Sequence, residues 1–151
     1  MKIVLLDALT FGATDLSGFD TFGEVEIFQT TSKEQTLERI TKADVIVTNK
    51  VVITDAHMQK CPNLKLICIA ATGMNNVDLE AGISNNIQVK NVAGYSTDSV
   101  IQHTFSMLFY LVGHSRYYDE VVKDGTYSKS AIFTDVSKPF FEVKGKKWGI
   151  I

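Results

Sequence analysis

The sequence contains few of the residue types that identify specialised proteins. Its 151 residues include two cysteines, too few for a disulfide framework, and the spacing of Cys61 and Cys68 matches no metal-binding motif. Fifteen basic and 17 acidic residues give a net charge of −2, so no basic surface for nucleic acid is expected. No apolar run reaches the roughly 20 residues that a membrane-spanning helix needs. These absences leave an ordinary globular protein of one-domain length.

The first residues, MKIVLLDALTFG, contain no long apolar segment and no small-residue cleavage site. This pattern predicts that no signal peptide is present. Together with the low cysteine content, it favours a reducing cytoplasmic location.

The 91–113 stretch is the most unusual part of the sequence. A polar turn leads into a helical run in which Ser96 or Thr97 can cap the first turn and Asp98 lies near the helix N-terminus. After Val100 the apolar residues cover most of the helix circumference. Because a helix that is apolar all round is buried on several sides, we expect this helix to lie between protein layers.

Short apolar runs alternate with amphipathic segments along the first 90 residues. The predicted strands cover 2–7, 23–28, 44–48, 64–71 and 87–89, with the second strand nearer an edge because its side chains alternate. The predicted helices cover 32–42, capped by Ser32, then 54–60 and 77–85, the last capped by Asn76 or Asp78. This order predicts an α/β fold, a flavodoxin-like parallel sheet with helices on both faces.

Ligands of such sheets bind beyond the carboxyl ends of the strands. Three segments lie there: 7–10, 49–51 and 72–76. In the third, Gly73 allows a close backbone approach and a positive φ, and free N–H groups of such turns can hold a carboxylate. Lys50 adds a positive charge. The alternative is that these are ordinary turns with a solvated lysine, and the spacing alone leaves both interpretations open.

The three histidines do not form a catalytic set with other residues. His57 lies on a short polar helix, His114 at a helix end, and His103 inside the apolar helix, where a hydrogen-bonded core residue is expected. The sequence contains no nucleophile motif, no metal-ligand spacing, no G-x-G-x-x-G and no Walker sequence.

Two motifs in the expected order resemble a known family. The segment 71–78, ATGMNNVD, is similar to the A-x-G-x-x-N-x-D signature of the D-isomer-specific 2-hydroxyacid dehydrogenases. The segment 91–104, NVAGYSTDSVIQHT, resembles the helix that follows in that family, in the version found in its glycerate dehydrogenase (hydroxypyruvate reductase) branch. The 125–151 tail, ending KGKKWGII, is similar to the strand that precedes the dinucleotide loop. The resemblance thus covers the whole chain.

The resemblance implies a two-domain NAD-dependent oxidoreductase, with NADP as the alternative cofactor, that interconverts a small D-2-hydroxy acid and its 2-oxo acid. Residues 1–95 would be the substrate-binding domain, 96–124 a long interdomain and dimerisation helix, and 125–151 a connecting segment with the first strand of a nucleotide-binding domain. A homodimer through the 96–113 helix is expected, with no nucleic-acid or membrane partner.

The resemblance also implies roles for individual residues. Lys50, Val51, Thr72 and Gly73 fall where the family holds the substrate carboxylate, largely through backbone N–H groups. Val100 falls where the family contacts the nicotinamide end of the cofactor. No catalytic residue is assigned, because the family's Arg, Glu and His would all follow residue 151.

The chain is therefore expected to be a truncated product that is inactive alone. The alternative is a stand-alone small-molecule-binding or regulatory module without catalysis. A receiver-like signalling domain is disfavoured, because Thr48, Asn49 and Lys50 occupy the place of its phosphoacceptor aspartate.

Overall fold

The computed structural model describes residues 1–150 and divides into two compact units, Met1–Tyr95 and the residues from Ser96 onward. The first unit contains five parallel strands in the order β2-β1-β3-β4-β5, which is the flavodoxin-like arrangement. The strands are β1 (Lys2–Leu5), β2 (Glu24–Ile27), β3 (Val45–Thr48), β4 (Leu66–Ile69) and β5 (Gln88–Asn91). The predicted parallel α/β fold is confirmed, and β2 lies at an edge as its alternating pattern indicated.

Three helices connect the later strands: α1 (Lys33–Ile40), α2 (Asp55–Met58) and α3 (Leu79–Ser84). Two of them follow a residue that the sequence predicts as a cap, Ser32 before α1 and Asp78 before α3. The backbone N–H of Ser32 donates to Gln35 Oε1 at 3.1 Å, and the Asp78 side chain accepts from the N–H of Ala81 at 3.0 Å. These bonds satisfy groups that a helix end leaves unpaired, so the local sequence fixes where α1 and α3 start.

The two faces of the sheet are covered differently. One face packs against α1, α2 and α3 through Ile40, Met58 and Ala81. Among the described residues of the first unit, the other face is covered by two 3-10 helices, Ala8–Phe11 and Ser17–Phe22, with Phe11 and Phe19 packed on the strands. Both faces are thus covered, but the second by short 3-10 turns, because the β1–β2 connection contains no sustained helical period.

The second unit contains α4 (Thr97–Val112) and α5 (Ser115–Lys123) where a single helix over 96–124 was predicted. Ser96 occupies the N-cap position as predicted, although its side chain makes no capping bond. The prediction of one continuous helix is wrong because the backbone turns at His114, whose φ of +49° lies in the left-handed region. A left-handed residue interrupts the helical hydrogen-bond pattern, and α5 starts directly after it.

No residue of α4 is buried within the described chain, so the expected burial between layers would have to come from a partner domain or a second chain. His103, expected in the core, is also exposed. Residues 140–148 supply only partial cover: the Trp148 and Phe105 rings meet edge to face at 5.3 Å. The exposed apolar residues of α4 are Val100, Ile101, Phe105, Met107, Phe109, Tyr110 and Leu111.

The predicted strand at 146–151 does not form over its described part. Residues 146–150 have no regular secondary structure and are exposed, and Ile151 lies outside the described residues. A strand is stabilised by hydrogen bonds to a neighbour, and none of the five strands pairs with this segment. In residues 1–150, no helix is both long enough and apolar enough to cross a membrane.

Candidate carboxylate site at the sheet edge

All five strands are parallel, so their carboxyl ends lie on the same side of the sheet. We call this side the carboxyl edge, as distinct from the lateral edge formed by β2. Three connections leave the central strands there: the residues after β1 beginning with Asp7, the 49–51 loop after β3, and the 72–76 turn after β4. The structure therefore brings together the three segments that the sequence placed at this edge.

Asp7 is the centre of the hydrogen bonding between β1 and the 49–51 loop. Its side chain is buried, with 6% of the residue exposed. The backbone N–H of Asn49 donates to both carboxyl oxygens, at 2.9 and 3.0 Å, and that of Lys50 donates to Oδ2 at 2.6 Å. The Thr48 hydroxyl donates to Oδ2 at 3.3 Å. Consecutive N–H groups of this kind form an anion-binding nest, and here Asp7 already fills it.

The 49–51 loop is tied in turn to the turn after β4. Thr48 Oγ1 accepts from the N–H of Val51 at 3.0 Å, and the carbonyl of Val51 accepts from Asn76 Nδ2 at 3.1 Å. Beyond this, the N–H of Ile53 donates to the carbonyl of Asn76 at 2.9 Å. The two loops thus form one hydrogen-bonded assembly.

The 72–76 turn holds donors that are not used within the chain. Among residues 1–150, none of its five backbone N–H groups has a hydrogen-bond acceptor. Its start is anchored to β5, because the carbonyl of Thr72 accepts from Asn91 Nδ2 at 2.7 Å and the Thr72 hydroxyl donates to the carbonyl of Val92 at 3.3 Å. An exposed turn with fixed geometry and unpaired N–H groups can bind a carboxylate or another small anion.

Gly73 has no positive φ, so that part of the sequence-based expectation is wrong. A Cβ on Gly73 would lie 3.2 Å from Asn75 Oδ1 and would meet no backbone atom within 4 Å. Glycine at this position therefore lets a ligand come close to the backbone, and it is not needed for an unusual backbone conformation.

Lys50 gives this edge its positive charge. Its side chain is exposed, and in the described part of the chain it forms no ion pair. The negative charge of Asp7 is enclosed by donors, so an incoming anion meets the lysine ammonium and the free N–H groups of the turn.

The histidine, the arginine and the two thiols of the first unit are not available to transfer protons at this edge. Thr54 N–H donates to His57 Nδ1 at 3.2 Å at the start of α2, and burial, with Lys60 and Lys33 nearby, lowers the pKa of this imidazole. Arg39 bonds the Thr30 carbonyl at 2.6 Å. Burial raises the pKa of both free thiols, which keeps them protonated and unreactive. No group of three or more metal-ligating side chains occurs among residues 1–150.

The predicted site residues are distributed as follows. Lys50, Val51, Thr72 and Gly73 all lie at this edge, although the N–H groups of Lys50 and Val51 are bonded within the chain. Val100 belongs to the second unit, on the first turn of α4, where 59% of it is exposed.

Sequence reasoning missed the parts played by Asp7 and Asn76. An acid that ends an otherwise apolar buried strand is the signal that could have indicated Asp7, because such a carboxyl group needs several donors. Asn76 is visible only as a member of the A-x-G-x-x-N-x-D pattern.

Comparison with known proteins identifies the family of the chain. Residues 3–139 match the family described as D-isomer specific 2-hydroxyacid dehydrogenase, catalytic domain. The chain is 33% identical to the hydroxypyruvate reductase of Blautia hydrogenotrophica, over 100% of this chain and 48% of that protein. It is 31% identical to the glycerate dehydrogenase of Methylorubrum extorquens, over 99% of this chain and 48% of that protein. The chain thus spans about half the length of these relatives.

A solved structure with the same fold is the NAD-dependent formate dehydrogenase of Staphylococcus aureus in complex with NAD. It superimposes with a TM-score of 0.64 at 27% identity, over 83% of this chain and 41% of that one. The match over residues 3–139, the parallel sheet and the turn at its carboxyl edge lead to one conclusion: the chain belongs to the D-isomer specific 2-hydroxyacid dehydrogenase family.

Proposed function

We propose that this chain is the substrate-binding part of an NAD-dependent oxidoreductase that interconverts a small D-2-hydroxy acid and its 2-oxo acid, of the glycerate and hydroxypyruvate type. The observation that carries the proposal is the 72–76 turn, whose backbone N–H groups have no acceptor among residues 1–150 and which lies at the same sheet edge as the exposed Lys50. The names of the two relatives, hydroxypyruvate reductase and glycerate dehydrogenase, support the choice of substrate class.

Each predicted residue has a definite role in this proposal. The N–H groups of Thr72 and Gly73 donate to the substrate carboxylate, and the Lys50 ammonium attracts it. Val51 acts through its carbonyl, which holds the Asn76 side chain and with it the turn. These are binding roles, and we assign no catalytic residue in this chain.

The cofactor in the proposal is NAD, with NADP as the alternative. The residues present do not form its main site, because the sequence contains no G-x-G-x-x-G loop. Val100 is the one residue that we propose to contact the nicotinamide end, since its exposed apolar side chain can pack on a flat ring.

We infer that the 151 residues do not catalyse the reaction alone. The histidine nearest this sheet edge in sequence, His57, accepts a backbone N–H at α2, and Asp7 is enclosed by donors. Of the titratable side chains at or next to the edge, these two are bonded within the chain, and the third, Lys50, is assigned to the substrate carboxylate. A stand-alone binding or regulatory module remains the alternative, and the mass of the protein in its source organism distinguishes them: about twice that of this chain supports the dehydrogenase.

The second unit fits an interdomain and dimerisation role. We propose that the chain forms a homodimer through the 96–113 segment, because α4 exposes an apolar surface whose contact with water is energetically unfavourable. In this proposal 1–95 is the substrate-binding domain, 96–124 the dimerisation region, and 125–151 the connection to a nucleotide-binding domain. The free cysteines fit a reducing cytoplasm.

A titration of the ¹⁵N-labelled chain with hydroxypyruvate tests the binding proposal. The amide signals of Thr72 and Gly73 should move with hydroxypyruvate but not with hydroxyacetone, which has the same carbonyl and hydroxyl groups and no carboxylate. NADH mixed with the chain and hydroxypyruvate should not be oxidised. Unmoved signals at the 72–76 turn would contradict the binding site, and turnover would contradict the inactivity of the isolated chain.

A further inference from the structure

Asp7 is a buried acid whose side chain, among residues 1–150, bonds only to the last residue of β3 and to the loop that follows it. Its carboxyl group accepts from Thr48, Asn49 and Lys50, and in residues 1–150 it forms no ion pair. A buried carboxyl group that has lost its water depends on such donors. The position of Asp7 at the end of β1 and the path of the 49–51 loop are therefore strongly coupled.

This coupling extends to the turn with the unpaired N–H groups. The Thr48 hydroxyl donates to Asp7 and accepts from the N–H of Val51, and the carbonyl of Val51 accepts from Asn76. The series Asp7–Thr48–Val51–Asn76 crosses from β1 through β3 to the connection after β4. Hydrogen bonds in series polarise one another, so a change at one end is transmitted to the other.

We propose that Asp7 is a positioning residue for the substrate carboxylate: it acts through Thr48 and Val51 to hold the 72–76 turn in its binding geometry, without contacting the substrate. The inference rests on the proposed function in taking that turn as the carboxylate site. Direct contact is ruled out by burial and charge, since the Asp7 carboxyl is enclosed by donors and would repel a second carboxylate.

Asp7→Asn is the single substitution that tests the positioning role most directly. Both carboxyl oxygens accept here, Oδ1 from Asn49 and Oδ2 from Asn49, Lys50 and Thr48. An asparagine of the same shape places an NH₂ group where one oxygen stood, so that donor faces donor. We expect the ligand-free amide signals of the 72–76 turn to shift, those of α3 to stay, and hydroxypyruvate binding to weaken about tenfold.

Thr48 supplies a matched pair of variants. Thr48→Val keeps the shape of the side chain but removes both hydroxyl bonds, whereas Thr48→Ser keeps the hydroxyl. The positioning role predicts that Thr48→Val reproduces the shifts and the weaker binding of Asp7→Asn, and that Thr48→Ser restores nearly wild-type signals and affinity. A purely structural role would lower the unfolding temperature in both valine and asparagine variants without moving the turn.

The ligand-free spectra separate this inference from the proposed function. If wild-type chain does not bind hydroxypyruvate, the proposed function of the turn fails, while the positioning inference is still decided by the shifts of the 72–76 amides in Asp7→Asn and Thr48→Val. Wild-type turn signals in folded Asp7→Asn or folded Thr48→Val would overturn the inference. If Asp7→Asn does not fold, the comparison of Thr48→Val with Thr48→Ser decides the question in the same way.

Discussion

The side-chain amide of Asn76 donates to the carbonyl oxygen of Val51 at 3.1 Å, which joins the turn after β4 to the loop after β3. The backbone of Asn76 makes a second link, because its carbonyl accepts from the N–H of Ile53. One residue therefore fixes the relative position of the two connections that carry all four proposed substrate-binding residues of the first unit.

Asn76→Asp removes this donor with almost no change in size. A carboxylate would face the Val51 carbonyl oxygen, so we expect a loss of about 1–3 kcal/mol in the free energy of unfolding. Hydroxypyruvate affinity should fall as well, because the turn is released. Urea unfolding and the amide titration measure the two effects. Asn75→Asp is the matched control: its side chain is exposed and makes no hydrogen bond in the described chain, so equal losses in both variants would contradict the role of the Asn76–Val51 bond.

Gly73→Ala separates binding from folding. The added methyl would lie 3.2 Å from a movable side-chain oxygen of Asn75, and no positive φ opposes alanine. We therefore expect the free energy of unfolding to change by less than about 0.5 kcal/mol. The methyl narrows access to the N–H groups, so hydroxypyruvate should bind about tenfold more weakly if the turn is the site. Gly18→Ala, which meets no atom within 4 Å and lies in a 3-10 helix, is the control that should leave binding unchanged.

Lys50→Ala tests the electrostatic part of the proposal. An exposed lysine contributes about 0.2–1 kcal/mol to an ion pair, so affinity should fall by a factor of about 1.4 to 5. The difference between wild type and variant should shrink as salt is added, since exposed charges are screened. Lys42→Ala removes the same charge before β3, at the opposite edge of the sheet, and should bind as wild type does. A loss that persists unchanged at high salt would argue against a charge effect.

The sequence predicts the central unit well because its signals are local. Apolar runs identify the strands, and Ser32 and Asp78 mark the helix starts through bonds to residues three positions away. Asp7 is different: the groups that bond it lie 41 to 43 residues further along the chain, a pairing that no periodicity records.

The differences between prediction and structure in the second unit have a common physical cause. An apolar helix pattern predicts burial, but burial depends on what lies against the helix, and the pattern of α4 does not contain that information. The break between α4 and α5 depends on the left-handed backbone of His114. Few non-glycine residues adopt this conformation, and the identity of the side chain does not predict it. The terminal segment 146–150 has strand-like residues without a neighbouring strand.

His57 makes the stability of α2 depend on pH. Its ring accepts the Thr54 N–H at Nδ1, and the folded protein holds its pKa below the ordinary value of 6.5. The unfolded chain therefore binds the proton more tightly, so stability is lost as the pH falls through 6.5 and the folded pKa below it. His57→Gln keeps a side-chain acceptor at the third helix position without titrating. Between pH 7 and pH 5, its unfolding temperature should fall less than that of wild type, and parallel curves would contradict this assignment.

The exposed apolar surface of α4 predicts self-association. Leu111 is 69% exposed on this helix, and a glutamate there would bring a charge into any interface built on it. Burying an unpaired charge is costly, so Leu111→Glu should weaken association by about tenfold or more, measured by sedimentation or light scattering across micromolar concentrations. The matched control is Ile83→Glu, because Ile83 is 81% exposed on α3 in the first unit and adds the same charge away from α4. If α4 forms the interface, wild type and Ile83→Glu associate equally and Leu111→Glu remains monomeric. A wild-type chain that is monomeric under these conditions, or equal weakening by both variants, would contradict dimerisation through the 96–113 segment.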